Sequence, residues 1–416
     1  MTSLPALPLL RRTLYLLRVA RFRGPEGVAH VLVLTLLSLS VWLVLLFGRS
    51  WFWRADQVLP AAEPPEDWPA VAVIIPARDE AETIGRVVQR HRQSGYPGDL
   101  RIFVCDDHSS DDTAEKALAA KGQHEVEVVP VPDLPEGWSG KLWALQAGLD
   151  RAAEVMPDAS YVLFTDADIK TETSLLEKLV AAAERQDLAL TSIMAELNAK
   201  ARWGKLLIPA FIFFFQKLYP FPAVNNEKRQ MAAAAGGVML VRREALEAIG
   251  GLDAMCGALI DDCTLAAKIK GTGRKIGLYL STSFAEAISL RSNESYSSME
   301  KMVARSAYTQ LGYSPLALAG TLIGMVLVYL VGPGIFLTLP FHGQGTAALV
   351  GLIVWIAMAI AYWPTLKRYG ARKGRAFDLP LAALIYAWFT WLSAWRHWQG
   401  KGGQWKGRSY PSSKPS

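Results

Sequence analysis

Three acidic pairs stand out in the middle of the sequence: Asp106 with Asp107, Asp166 with Asp168 in the triplet Asp166-Ala167-Asp168, and Asp261 with Asp262. Alternate carboxylates on a tight turn can present oxygens to one hard divalent cation and to the phosphates that share it. A lone D-x-D triplet is a weak signal, because such triplets also occur on solvated surfaces. Its company strengthens it, since each of the other pairs also stands where a strand or loop is expected to end or a helix to open. Lys141 opens a predicted helix, and a cation there could neutralise phosphate charge; a solvated surface lysine has the same sequence signature. Position alone would read Asp262 as a first-turn carboxylate that favours the helix dipole.

The elements that must position these groups follow from the hydropathy pattern. Between about residues 70 and 290, short β-rich runs that end in acidic residues or glycine alternate with helical stretches, the signature of an α/β layer fold. Ala70 to Ile75 reads as a first strand stopped by Pro76, Thr83 to Arg92 as a helix, and Arg101 to Cys105 as a second strand running into Asp106 and Asp107. Tyr161 to Phe164 reads as a buried strand that delivers Thr165, Asp166, Ala167 and Asp168 at its carboxyl end. Open parallel sheets bind ligands at those ends. Residues 206 to 222, LLIPAFIFFFQKLYPFP, break the pattern; the run fits a buried core helix or an interfacial helix lying on a membrane.

The flanks are of another kind. Of the 416 residues, 51% are apolar and 20% charged, with 14 Trp. The uncharged run at 29–48, taken as a span over 29–49, is long enough to cross a hydrocarbon core of roughly 30 Å and ends in Trp51, Phe52 and Trp53, an aromatic belt rather than a signal cleavage site. Further runs at 316–340 and 346–364 read as spans, and the shorter 379–395 as a span or re-entrant helix. The expected organisation is a basic arm 1–28, the first span, a catalytic domain over 55–312, the late helices, and a basic tail 396–416. Lys367, Arg368, Arg372, Lys373 and Arg375 place their loop in the cytoplasm, and two crossings back the middle domain as well. The arginines of the N-terminal arm oppose that layout, which suggests an arm lying along the membrane surface. A net charge of +6 gathered beside apolar runs points to lipid headgroups and topology, not to nucleic acid. Cys105, Cys256 and Cys263 are too few and scattered for a disulfide framework or structural zinc, and read as reduced thiols.

The stretch from about 71 to 311 resembles the family 2 glycosyltransferases of the GT-A fold. The resemblance rests on VAVIIPARDE, VCDDHSSDDT, GKLWALQAGL, FTDADI, AGGVMLVRREALEAIGGLD and IDDCTLAAKIKGTGRKIG, in that order and spacing. The four-span layout, the segment Gly137 to Trp143 and the closing WKGRSY most resemble the hopene-associated glycosyltransferases, with ceramide glucosyltransferases more distant. The resemblance implies an α/β GT-A domain plus transmembrane helices, anchored in a bacterial inner membrane with the catalytic domain facing the cytoplasm. It also implies Mg²⁺ or Mn²⁺, a nucleotide-diphospho-sugar donor that is UDP-linked, a lipid acceptor of hopanoid-related type, and inversion at the anomeric carbon.

Residue by residue, it implies that Asp107 reads the uracil ring while Asp106 supports the turn, and that Ala77 and Glu80 border the nucleotide. Lys141 lies near the diphosphate, Asp168 is the metal ligand, and Asp166 positions the metal and donor sugar. Gly236 and Gly237 let the backbone approach the sugar, although a turn glycine is the plain alternative. Asp262 is the general base and Asp261 stands where a Glu is more common. One departure concerns Met302-Val303-Ala304-Arg305-Ser306, where polymerising relatives carry Q/R-x-x-R-W; Arg305 is retained to face the diphosphate, and the missing Trp favours transfer of a single sugar. A metal-dependent nucleotidyl or phosphoryl transferase acting on a lipid would also use clustered carboxylates, but the sequence has no P-loop. A transporter would need ionisable pairs inside its spans, and no clear pair is present.

Overall fold

The computed structural model describes the backbone of residues 25–256, 261–292, 295–400, 404–405 and 408–409. The chain divides into two units, one made of Ala55–Tyr313 and the chain from Leu392, the other of the chain up to Arg54 and Ser314–Trp391.

The first unit is the expected α/β layer fold. Its strands are β1 (Val71–Ala77), β2 (Leu100–Asp106), β3 (Glu125–Pro130), β4 (Tyr161–Thr165), β5 (Ile169–Thr171), β6 (Leu188–Met194), β7 (Val238–Arg242), β8 (Lys275–Leu280) and β9 (Ala287–Ser289). Seven of them form one sheet in the order β3-β2-β1-β4-β7-β6-β8, and β5 pairs with β9 in a separate ribbon. The strands β3, β2, β1 and β4 are mutually parallel, whereas β7 runs antiparallel to both β4 and β6. Every residue of β1, β4 and β6 is buried, as expected of strands covered on both faces.

Pro76 does not stop β1. Up to Ile74 the strand pairs with both β2 and β4, but from Ile75 onward only with β2, so a proline without an N–H can be accommodated on the open side. The helix Gly140–Val155 is capped by Ser139, whose side chain accepts the Leu142 N–H at 3.3 Å, and it lies against β1 and β2. Gly148 permits that approach: a Cβ there would stand 2.5 Å from both Cys105 Sγ and Ile74 Cγ2. The aromatic run forms the helix Arg202–Leu218, in which Leu207, Ile208, Ala210, Ile212 and Phe213 are buried. It packs as a core helix, with Trp203 and Leu218 exposed near its ends.

Among the described residues, five helices are long and apolar enough to cross a membrane: Ala29–Gly48, Arg202–Val224, Pro315–Leu337, Gly345–Arg368 and Lys373–Trp398. The second differs from the rest in having 61% of its apolar window buried within the protein, against 17% for the first and third. The last is longer than the apolar run 379–395, because it begins with the turn Lys373–Asp378 and continues through Trp398. Within the second unit, the π-helical turn Val326–Leu330 leaves the Val328 carbonyl to accept the Trp42 indole N–H at 2.7 Å. Gly351 and Gly332 let their helices cross closely, since a Cβ on Gly351 would lie 2.5 Å from the Gly332 carbonyl oxygen.

Gly148→Ala should therefore destabilise the first unit by about 1–3 kcal/mol through overpacking, although alanine is the better helix former. Thermal unfolding of purified protein in detergent measures this, and an unchanged or raised midpoint would contradict the packing described.

Candidate active site

The carboxyl ends of β1, β2 and β4 meet the start of β7 at one edge of the sheet. The Asp107 N–H donates to the Ala77 carbonyl at 2.9 Å, which ties the ends of β1 and β2 together. The Asp107 carboxylate is buried; Arg78 Nη1 lies 3.3 Å from Oδ2 and also donates to the Asp107 carbonyl at 2.8 Å. His108 Nδ1 lies 3.1 Å from the other carboxylate oxygen, and His108 itself holds a left-handed φ of 55°. Asp106 turns away from this group and accepts the Ser109 hydroxyl, while Asp79 accepts the Ser110 N–H at 2.8 Å.

At the end of β4, the Gly237 carbonyl accepts both the Thr165 hydroxyl at 3.0 Å and the Asp166 N–H at 3.3 Å. Lys141, from the start of its helix, places Nζ 2.8 Å from Asp166 Oδ1. Gly236 donates its N–H to Asp262 Oδ2 at 2.9 Å, and the other Asp262 oxygen accepts the Cys263 N–H at 2.7 Å. A Cβ on Gly236 would sit 3.2 Å from Asp262 Oδ2 and 3.5 Å from Lys141 Nζ. The two glycines thus bring Asp166, Lys141 and Asp262 around one stretch of bare backbone.

Asp168 is buried behind this group. Its Oδ2 accepts the Ser289 hydroxyl at 2.6 Å, its carbonyl accepts the Leu290 N–H at 2.8 Å, and Arg291 Nε lies 3.4 Å from Oδ1. Arg291 also pairs with Glu80, whose other oxygen accepts the Thr83 hydroxyl at 3.2 Å and whose N–H donates to Thr113 Oγ1 at 2.8 Å. Burial opposes the charge on Arg291, but Asp168, Glu80 and Asp166 outweigh it and hold the guanidinium pKa above its usual value. Asp262 itself is half-buried. Burial, and then the Asp262 charge, push the Cys263 thiol up to about 12, and Tyr219, which accepts the Gln310 amide at 2.6 Å, is raised chiefly by burial.

A family model described as glycosyltransferase-like family 2 matches residues 69–309, which takes in all of the acidic residues of this group. The chain belongs to glycosyltransferase family 2. Among its relatives, a probable glycosyltransferase of Bacillus subtilis is 24% identical over 257 residues, 58% of this chain, and the match spans only 59% of that relative's length. The 4,4'-diaponeurosporenoate glycosyltransferase of Staphylococcus aureus is 24% identical over 370 residues, covering 83% of this chain and 89% of the relative. Among solved structures, the mannosyltransferase of Pyrobaculum calidifontis in complex with GDP-Man and Mn²⁺ is 17% identical, with a TM-score of 0.47 over 84% of this chain and 99% of that one. Glucosyl-3-phosphoglycerate synthase of Mycobacterium tuberculosis, with Mn²⁺, UDP-glucose and glycerol 3-phosphate, is 19% identical, with a TM-score of 0.34 over 54% and 77% of the two chains.

Among the described residues of this glycosyltransferase, no three His, Cys, Asp or Glu side chains gather into a ready-made metal cage. The donor set nevertheless fits a divalent cation of the Mg²⁺ or Mn²⁺ type. Asp166 and Asp168 offer acceptor-only oxygens two residues apart, and such cations take most of their ligands from phosphates and water rather than from a protein cage.

The structure brings Glu80, Lys141, Asp166, Asp168, Gly236, Gly237 and Asp262 into one linked group, with Ala77 and Asp107 at the adjoining strand ends. Arg305 is exposed on the helix Tyr296–Gln310 and makes no ion pair among the described residues. The side chains of Asp261, Trp405 and Arg408 lie outside the described residues; the backbone of Gln404–Trp405 pairs antiparallel with that of Arg408–Ser409. Sequence reasoning missed Arg291, Arg78 and His108. Nothing local marks Arg291, which reaches Asp168 only because β9 pairs with β5 immediately after the triplet. His108 carried a fainter signal, a bulky residue directly after paired aspartates at a sharp turn.

The cysteines give a direct check of these environments. Cys256 is exposed, Cys105 is buried with a thiol pushed up by burial, and Cys263 is raised to about 12. At pH 8, iodoacetamide should modify Cys256 while leaving Cys105 and Cys263 largely untouched until urea is added, as peptide mass spectrometry would record. Rapid labelling of Cys263 in the folded protein would contradict the packing around Asp262.

Proposed function

We propose that this chain is a membrane-bound, inverting glycosyltransferase that moves one sugar from a UDP-linked donor to a hydroxyl group of a hopanoid-related or other long-chain membrane lipid. The observation that carries this reading is the bare backbone at Gly236 and Gly237, with Asp262 bonded to one glycine and the Asp166 turn to the other. It sets a carboxylate base and a phosphate-neutralising lysine beside backbone that carries no side chain of its own. The apolar helices among the described residues and the Staphylococcus relative, a 4,4'-diaponeurosporenoate glycosyltransferase, support a lipid acceptor.

Each step then falls to a named residue. Asp107 accepts the uracil N–H, with Ala77 and Glu80 bordering the nucleotide. Lys141 offsets diphosphate charge. Asp168 with Asp166 would hold Mg²⁺ or Mn²⁺, which supplies charge stabilisation to the departing diphosphate. Asp262 takes the proton of the acceptor hydroxyl as that oxygen bonds to the anomeric carbon from the face opposite the breaking C–O bond to the diphosphate. Both Asp262 oxygens accept a backbone N–H. The two bonds also fix the direction in which the carboxylate points.

Asp262→Asn should lower turnover by about 10² to 10⁴ while nucleotide affinity changes little, because it keeps size and polarity but loses proton acceptance. Asp107→Asn should do the reverse, since a uracil N–H would then meet a weaker acceptor. Calorimetry with UDP and a single-turnover assay on the purified protein separate the two. Near-normal turnover of Asp262→Asn would move the base to Asp261.

We further place the catalytic unit and the loop 367–375 in the cytoplasm of a bacterial cell, where nucleotide sugars are made and the basic loop belongs. Native Cys256 and a cysteine introduced at Gly370 should react with an impermeant thiol reagent only after lysis. Labelling of either on intact cells would overturn that orientation.

A further inference from the structure

Two cations reach into the acidic group around Gly236: Lys141 pairs with Asp166, and Arg291 with both Asp168 and Glu80. Asp168 and Glu80 are 6% and 7% exposed, so bulk water screens them poorly. Arg291 bridges the two, and its own side chain is 43% exposed, so it stands between the buried carboxylates and solvent. A cation bound at Asp168 Oδ1 would stand beside this guanidinium.

Resting on the metal and nucleotide reading above, we infer that Arg291 is the internal counter-cation of this site. It holds Asp168 and Glu80 charged and in place while the donor is absent, and it competes with the divalent cation for Asp168. When the cation binds, Asp168 exchanges one positive partner for another, and the freed guanidinium faces a site that has gained positive charge. That state is unfavourable until a diphosphate arrives to offset it. The consequence is a coupling: the cation alone binds weakly, and nucleotide and cation each tighten the other, by the same factor in both directions. Arg291 acts here through Asp168 and is a positioning residue. Its fork geometry matters because one guanidinium must reach two carboxylates from different strand ends, which a lysine ammonium does less well.

Full-length wild type, Arg291→Gln and Arg291→Lys, purified in detergent, would be titrated with Mn²⁺ and followed by electron paramagnetic resonance, without nucleotide and with saturating UDP. Arg291→Gln should bind Mn²⁺ about tenfold more tightly than wild type in the absence of UDP, on the scale of one lost charge interaction at a partly screened site. The factor by which UDP tightens Mn²⁺ should shrink by about the same amount. Arg291→Lys, which keeps the charge and the fold, should move in the same direction by less. A purely structural arginine would lower the unfolding midpoint and weaken Mn²⁺ binding in both variants. Unchanged or weaker Mn²⁺ affinity in either folded variant would overturn the inference while leaving the proposed function standing. If wild type bound no Mn²⁺ with or without UDP, the metal reading and this inference would fall together.

Discussion

Carboxylates that converge at the end of a sheet repel one another, and the strand ends here stay together because each acidic side chain is matched by something fixed. Asp107 has Arg78 and His108, Asp166 has Lys141, Asp168 and Glu80 share Arg291, and Asp262 is held by two backbone N–H groups. Apart from His108 and the Cys263 N–H, these partners come from widely separated parts of the chain, so the cluster depends on the strands being in place. The antiparallel β7 is essential to it. By reversing direction beside β4 it brings its first residues, rather than its last, to the ligand edge, and so delivers Gly236 and Gly237 next to the acidic triplet.

The glycines then set what can be done there. Gly237 serves the β4 turn through its carbonyl and Gly236 serves Asp262 through its N–H, so a side chain at Gly236 would intrude between Asp262 and Lys141. A base and a cation held beside bare backbone suit a reaction whose leaving group is anionic and whose attacker must be deprotonated. The proposed lipid acceptor would accord with the apolar helices that this family 2 glycosyltransferase carries before and after its catalytic unit in sequence.

Much of this was legible in the sequence for a physical reason. The strands β1, β2 and β4 are buried on both faces, so they read as continuous apolar runs, and a carboxylate directly after such a run interrupts it sharply. Pro76 misled because a proline inside a central strand is normally forbidden; the shorter pairing of β4 that permits it is a property of the neighbour, not of the local sequence. The run 206–222 has the composition of either a core or a lipid-facing helix, and only packing decides. Arg291 was invisible for the same reason. Its partners lie far away in sequence, and a lone arginine in LRSN carries no period or motif. Arg305, by contrast, was picked out by its place in a motif, yet its side chain makes no ion pair among the described residues.

The reading of the acidic cluster as a cation-dependent sugar-transfer site is tested most directly by following a labelled sugar. Purified protein in lipid vesicles would be given UDP-sugars labelled in the sugar together with a bacterial lipid extract, in the presence of Mg²⁺ or Mn²⁺, in excess chelator, and with Asp168→Ala in place of wild type. The account predicts that sugar label enters the lipid phase only with wild type and cation. Undiminished transfer in excess chelator, or lipid that carries nucleotide or phosphate in place of sugar, would contradict it.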